Sequence, residues 1–333
     1  MKDILTTDRI AVCCVGLGRH MLRSLLPNIF ASADFEVVAG VDPDPQARAL
    51  LAERLPSATL YADIGTALAE GRFDLVVVAS DPDVHYSVSS AALAAGKHVF
   101  VEKPPALDSH GCAALIDQAR QAQSTLFVGT MWRYGRARSI LDTWVAERDL
   151  RVERMDIQAF FPEVLVRPGW EDSRLTTAFT DMFIHPIDYA VSYLGDAEVS
   201  RQDMQQVDNR VHAQIVLAAP GGLRADLSLS SGSSLYGSRI TTYYSDGTVA
   251  QLGDLSQLEV FPPDTWSGTP GTLRDRPGLS WEQGPLYRGY GRIGYAEEFE
   301  ALAQVMRGTH LKPTVGPVSV TMSILETCLE AAG

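Results

Sequence analysis

The stretch that most constrains the fold is residues 9–29. An apolar run from Arg9 to Val15 passes directly into Gly16-Leu17-Gly18-Arg19-His20-Met21 and then into a helical pattern of Leu22, Leu25, Leu26 and Ile29. Strand, glycine turn and helix in that order open a βαβ unit. Gly16 permits the tight turn and Gly18 lets backbone approach a pyrophosphate, whose charge the amides of the helix amino end would meet, with Arg19 and His20 beside them. Met21 stands where such a turn carries its third glycine, so the helix is expected to pack farther from the strand. A plain strand-to-helix turn also satisfies these residues. The next strand tilts the choice: Phe35 to Val41 ends at Asp42, about twenty residues past the turn, where a dinucleotide-binding fold places its ribose-reading carboxylate. A carboxylate there repels a 2′-phosphate, so NAD(H) is the expected cofactor, with NADP(H) possible because Arg48 follows closely. Asp42-Pro43-Asp44-Pro45 has a second reading as a simple turn into a helix from Gln46 to Leu55.

The alternation continues. Thr59 to Ala62 and Asp74 to Ala79 read as strands, with helices around Ile64 to Ala69 and from Tyr86 to Ala95. Strand and helix in turn mean a parallel sheet. The polar loop Ser80, Asp81, Pro82, Asp83 then falls at the same sheet edge as the glycine turn and should border the cofactor. His85, at the start of the next helix, is placed with that cofactor edge, although capping or packing serves it equally well and no chemistry is assigned to it. Val99, Phe100 and Val101 form a fifth strand that delivers Glu102 and Lys103 at its carboxyl end and stops on Pro104. A helix from Ser109 to Gln121 and a strand from Thr125 to Gly129 complete six strands.

Composition bounds the partners. The 333 residues are 46% hydrophobic and 21% charged, ordinary for a folded protein of two domains. With 28 basic and 41 acidic residues the formal charge is −13, which repels phosphate backbones and argues against nucleic acid or an anionic membrane as partner. The first residues are polar and no apolar run approaches the roughly 18 residues of a membrane helix, so a cytoplasmic location is expected. The four cysteines show neither a metal motif nor a disulfide framework, and no metal is expected.

Beyond residue 130 the pattern changes. Val152 to Phe161, Glu198 to Val207, Val211 to Leu217, Leu223 to Ser230, Ser238 to Tyr244 and Thr248 to Leu252 read as closely spaced strands with glycine turns between them, which indicates antiparallel pairing. A helix over 181–194 covers one face, and a second subunit is an economical cover for the other. Phe261 to Gly294 is expected as a surface excursion, before helices from Glu297 to Met306 and Val318 to Ala331. Asp181 and His185 are four apart, one helical turn from each other. A His suits proton exchange near neutral pH and a lysine ammonium can hydrogen-bond an oxygen as negative charge develops on it. A His packed under a helix end, with Asp as its cap, is the plain alternative.

These motifs together resemble the glucose-fructose oxidoreductase, inositol dehydrogenase and rhizopine-catabolism (Gfo/Idh/MocA) family of NAD(P)-dependent oxidoreductases. The resemblance rests on the glycine turn with Asp42, on Pro82 with His85, on Ala94-Ala95-Gly96-Lys97-His98-Val99 followed by Glu102-Lys103-Pro104, and on Gly129 with Arg133-Tyr134. It extends to Asp181-x-x-x-His185-x-x-Asp188 and Tyr295-x-x-Glu298-Phe299. It implies an α/β protein with an amino-terminal Rossmann domain, residues 1–130, and a carboxy-terminal α/β domain, residues 131–333, whose open, mainly antiparallel sheet joins subunits into a homodimer or homotetramer. It implies a catalytic set of Lys103, Asp181 and His185, all three also contacting substrate. Cofactor contacts are expected from Gly16, Gly18, Arg19, His20, Asp42, Ser80, Asp81, His85, Glu102, Lys103 and Arg133. Trp132, Arg133 and Trp170 are expected to line the pocket by position, an aromatic wall suiting a sugar ring, while each Trp also reads as core. The reaction implied is hydride transfer at a secondary alcohol or ketone of a sugar, sugar derivative or polyol. An imine or conjugated double bond as acceptor, and a dinucleotide-binding sensor without turnover, are the alternatives. Leu175 to Phe179 replaces a run of glycines, and Phe183 a small residue, so the substrate pocket should differ from that of relatives.

Overall fold

The computed structural model describes residues 9–162, 174–263, 278–284, 293–308 and 315–331. The chain divides into two units, one running up to Thr130 and including Tyr295–Met322, the other comprising Met131–Gly294 and Ser323–Gly333.

The first unit is built on β1 (Ile10–Val15), β2 (Phe35–Val41), β3 (Thr59–Tyr61), β4 (Leu75–Val78), β5 (His98–Glu102) and β6 (Leu126–Gly129). The strand order is β3-β2-β1-β4-β5-β6, with every pair parallel. The order reverses between β1 and β4, and the carboxyl ends of the strands at that point form the ligand edge of such a sheet. β4 is buried along its whole length, as strands covered on both faces must be. The connecting helices are α1 (Leu26–Ala31), α2 (Pro45–Arg54), α3 (Ile64–Glu70), α4 (Pro82–Ala94) and α5 (Ser109–Ala122). Three of them start where an Asp accepts a backbone amide: Asp44 from Gln46, Asp63 from Thr66 and Asp108 from Gly111. α4 begins at Pro82, four residues earlier than the sequence pattern suggested, because proline suits the first helical turn. His85 therefore lies within the helix.

The second unit contains α6 (Arg136–Ala146), β7 (Val152–Phe160), α7 (Arg174–Thr177), α8 (Ile184–Leu194), β8 (Glu198–Val207), β9 (Arg210–Ala218), β10 (Arg224–Ser230), β11 (Gly237–Tyr244), β12 (Val249–Gly253), β13 (Gln257–Phe261) and β14 (Leu279–Glu282). They form one eight-stranded sheet, ordered β14-β13-β12-β11-β7-β10-β9-β8. Strict alternation buries Met155, Ile157 and Ala159 of β7 and Ala225, Leu227 and Leu229 of β10, while Arg154, Gln158 and Arg224 face solvent. α8 packs on β7 and β10, and α6 on β12 and β13.

The sheet is mainly antiparallel, as expected; β11 lies on the far side of β7 from β10, and β7 and β10 form its one parallel pair among the described strands. Two expectations are corrected here. The excursion expected from Phe261 contains β14, which pairs with β13 at the sheet edge. The last helices, α9 (Tyr295–Met306) and α10 (Val315–Glu330), do not all belong to the second domain. α9 joins the first unit because Phe299 stacks on Phe100 at 5.1 Å and meets Phe35 edge-on at 5.9 Å. The division between the units falls inside α10.

Candidate functional site

In the first unit the candidate residues gather at the carboxyl edge of the parallel sheet. Gly16 has φ +81°, and a Cβ there would meet the Ala79 carbonyl oxygen at 2.6 Å, so only glycine fits where the turn crosses the end of β4. A Cβ on Gly18 would meet nothing within 4 Å. Backbone at Gly18 thus borders open space, which is what a pyrophosphate cradle requires. The Asp42 carboxylate accepts the Leu17 amide at 2.8 Å and the Asp44 amide at 2.9 Å, tying the end of β2 to the glycine turn. Arg48 donates to the carbonyls of Asp42 and Pro43 at 2.6 and 3.0 Å, so its guanidinium is fastened to backbone. Arg19 and His20 are exposed, and fully buried Met21 opens a π-helical stretch, Met21–Leu25, in which the wider turn takes up the missing third glycine. These residues fit a dinucleotide.

Glu102 and Lys103 emerge at the end of β5, as the strand pattern required. Glu102 is 6% exposed, its carboxylate 2.9 Å from the His20 imidazole and 3.3 Å from the Lys103 amide. Lys103 is half-buried and its peptide to Pro104 is cis. Ser80 is half-buried and Asp81 exposed at the amino end of α4. His85 is buried, with Nδ1 2.8 Å from the Pro104 carbonyl oxygen and Nε2 3.0 Å from that of Ser80. Burial lowers its pKa below the usual histidine value, against the opposing pull of those carbonyls and of Glu102. The ring lies between two backbone segments, and as a neutral imidazole it donates one N–H to one of the two carbonyls. The cysteines carry no chemistry: all four are buried, and burial pushes the Cys13 thiol up to about 12.

In the second unit Asp181 and His185 lie on one continuous helical run, but Ala178–Phe183 is π-helical and only from Ile184 does the run become α8. Asp181 is half-buried and His185 8% exposed. The one-turn relation assumed for an α-helix is therefore replaced by a wider turn, of the kind that recurs at functional sites. Trp132, expected as a substrate wall, is 4% exposed and lies parallel to the His185 imidazole, the rings 6.0 Å apart. Phe161 stacks on Trp132 at 6.4 Å, and Phe183 and Phe179 continue the cluster, both fully buried. The bulk that replaces the glycines is thus part of an aromatic core behind His185. Arg133, expected at the cofactor, has its guanidinium on the buried carboxylate of Asp188 in a forked pair. Asp188 was legible only as part of a motif; its position three residues past His185 on the same helix was the available signal. Trp170 lies outside the described residues.

A six-stranded parallel sheet in the doubly wound order, with a glycine cradle and an acidic residue after β2, defines a Rossmann-type dinucleotide-binding protein. Residues 10–130 match the model of the Gfo/Idh/MocA oxidoreductase family, described as an oxidoreductase family with an NAD-binding Rossmann fold. The chain is 31% identical over 212 residues to an inositol 2-dehydrogenase from Burkholderia multivorans, covering 62% of this chain and 60% of the relative. Across three curated relatives it matches, the chain spans 34% to 60% of their length. A dehydrogenase from Chromobacterium violaceum shares the fold with a TM-score of 0.87 at 24% identity, covering 98% of this chain and 96% of that one. A 3-ketoreductase from Actinomadura kijaniata in complex with TDP-benzene and NADP shares it with a TM-score of 0.74 at 18% identity, covering 96% of both. Among the described residues no helix is long and apolar enough to cross a membrane.

Proposed function

We propose that the chain is an NAD(H)-linked oxidoreductase acting at a secondary alcohol or ketone of a sugar, sugar derivative or polyol. The observation that carries this reading is the shared sheet edge of the first unit, where the open glycine cradle and Asp42 stand at β1 and β2 and Lys103 emerges from β5. The names of the inositol 2-dehydrogenase and 3-ketoreductase relatives support the substrate class. Asp42 supports NAD(H) over NADP(H), since its carboxylate would repel a 2′-phosphate and Arg48 is held on backbone.

A bound nicotinamide supplies the hydride acceptor or donor. Lys103 then hydrogen-bonds the substrate oxygen and stabilises the negative charge that develops there. His185 takes the hydroxyl proton in oxidation and returns it in reduction, while Asp181 orients it or shares that proton. The stacked Trp132 ring fixes the plane of the imidazole. Small-molecule substrates and assembly through the open sheet of the second unit complete the proposal, and the buried thiols suit a reducing cytoplasm.

The test combines fluorescence titration with NADH and a panel of sugars, amino sugars and inositols followed at the nicotinamide absorbance. K103A is expected to lower kcat by about 10²–10³-fold with NADH affinity retained. Most of the activity surviving in K103A would refute the role of Lys103, and tight NADH binding without turnover across the panel would identify a sensor instead.

A further inference from the structure

We infer that His85 is a positioning residue that fastens the segment carrying Lys103 to the loop after β4. This rests on the role of Lys103 proposed above. The ring is 1% exposed and reaches two backbone oxygens on different strands' ends, Ser80 after β4 at 3.0 Å and Pro104 after β5 at 2.8 Å. Pro104 directly follows Lys103, so the carbonyl that His85 holds lies one residue from the ammonium-bearing side chain. The Ser80 loop borders the glycine cradle, because a Cβ at Gly16 would strike both Ala79 and the Ser80 amide nitrogen.

Lys103 itself is anchored on its other side, where the Glu102 carboxylate faces the Lys103 amide and the His20 ring. Glu102 thus ties Lys103 toward the glycine turn, while the neutral His85 ring, seated between the Pro104 and Ser80 carbonyls, donates its single N–H to one of them and packs against the other. A lysine side chain has four rotatable bonds, and the precision with which its ammonium meets an oxygen depends on how firmly its backbone is held. His85 does this from within α4, the helix whose amino end begins at that loop. A buried ring donating to a carbonyl also spares that oxygen the cost of burial without a partner.

The experiment compares H85F, which keeps ring volume without a donor, with H85Q, which keeps amide donors. Three readouts apply to each full-length variant: NADH affinity, turnover on the substrate found for the parent, and the rate at which an amine-acylating reagent modifies Lys103 relative to Lys97, followed by mass spectrometry. H85F is expected to lower turnover by roughly 10–100-fold and to change the Lys103 acylation rate several-fold, with NADH affinity within about a factor of two. H85Q should lie nearer the parent in both. Unchanged turnover and acylation in H85F would overturn the inference, as would a loss of NADH affinity at unchanged kcat, which marks a direct cofactor contact. If H85F does not fold, H85A with added imidazole decides: recovery of the Lys103 rate supports the clamp and no recovery overturns it. A parent without turnover on any substrate would sink the dehydrogenase reading, while the acylation contrast still decides the role of His85.

Discussion

Gly16 and His85 show how far single residues at the sheet edge are committed. At Gly16 both φ and space are specified, since +81° is a glycine conformation and the Ala79 carbonyl stands 2.6 Å from where a Cβ would be. G16A should therefore destabilise the fold by about 1–3 kcal/mol and displace the turn, with NADH binding lost in titration; parent-like affinity would refute the cradle. G18A, with nothing in the way, should fold normally. The two histidines of this unit with lowered pKa values give a pH prediction. Burial is the main cause for both His85 and His98, and at His98 the Thr125 amide also donates to Nδ1, a bond the protonated ring cannot accept. The unfolded chain takes up these protons near pH 6.5, before the folded one does, so each ring's contribution to stability is present above that pH and lost as pH falls toward the folded value. Melting temperatures measured from pH 7.5 to 5 should fall, and H98Q should fall less steeply than the parent. Parallel slopes would show that His98 is not the cause.

At the scale of elements, α8 is held to α6 and to the segment before it by charge as well as by packing. Arg133 and Asp188 form a forked, almost fully buried pair, and Arg138 donates to Ser192 at 2.6 Å while lying over the Tyr193 ring at 4.1 Å. Removing one member of a buried pair leaves the other charged and unpartnered, which costs about 3–5 kcal/mol. D188N is therefore expected to lower the denaturation midpoint strongly, while the double change R133M/D188L should recover most of it; equal losses would argue against the pair. Such pairings explain what the sequence could and could not disclose. The six parallel strands, the cradle and the emergence of Lys103 were legible because burial on both faces and glycine chemistry are local signals. The partner of Arg133 was not, because Asp188 lies 55 residues away and only the fold brings it near. The π-helical turns at Met21 and Ala178 were also illegible, since the same apolar residues fit an α-helix. β13 and β14 escaped notice because each is short and the residues between them are rich in Gly and Pro. α9 was misplaced because its helical period says nothing about which sheet Phe299 will meet.

At the scale of the molecule, the eight-stranded sheet leaves one face polar and exposed, and its charges are arranged in rows. β7 and β10 pair in parallel with Arg154 beside Arg224 and Asp156 beside Asp226. Within the unit each Arg reaches an Asp, as Arg154 does Asp156 at 2.8 Å and Arg224 does Asp226, yet both arginines remain more than half exposed. A row of cations next to a row of anions is self-complementary under a two-fold axis that lies between two stacked faces and runs parallel to the rows, which lays the Arg row of one copy on the Asp row of another. Two copies of a chain with net charge −13 repel at long range, so association would rely on these local pairs together with the area buried between the faces. Sedimentation of the parent chain is expected to give a dimer or tetramer. The variant R154D/R224D, which makes both rows acidic, should sediment as a smaller species and keep its NADH affinity, since the cradle belongs to the other unit. Ionic strength separates charge from apolar burial: if Arg–Asp pairs dominate the interface, parent dissociation should rise between low salt and about 1 M, where screening shortens the reach of charge to about 3 Å. A parent that is monomeric at every salt concentration would eliminate the open sheet as an assembly surface.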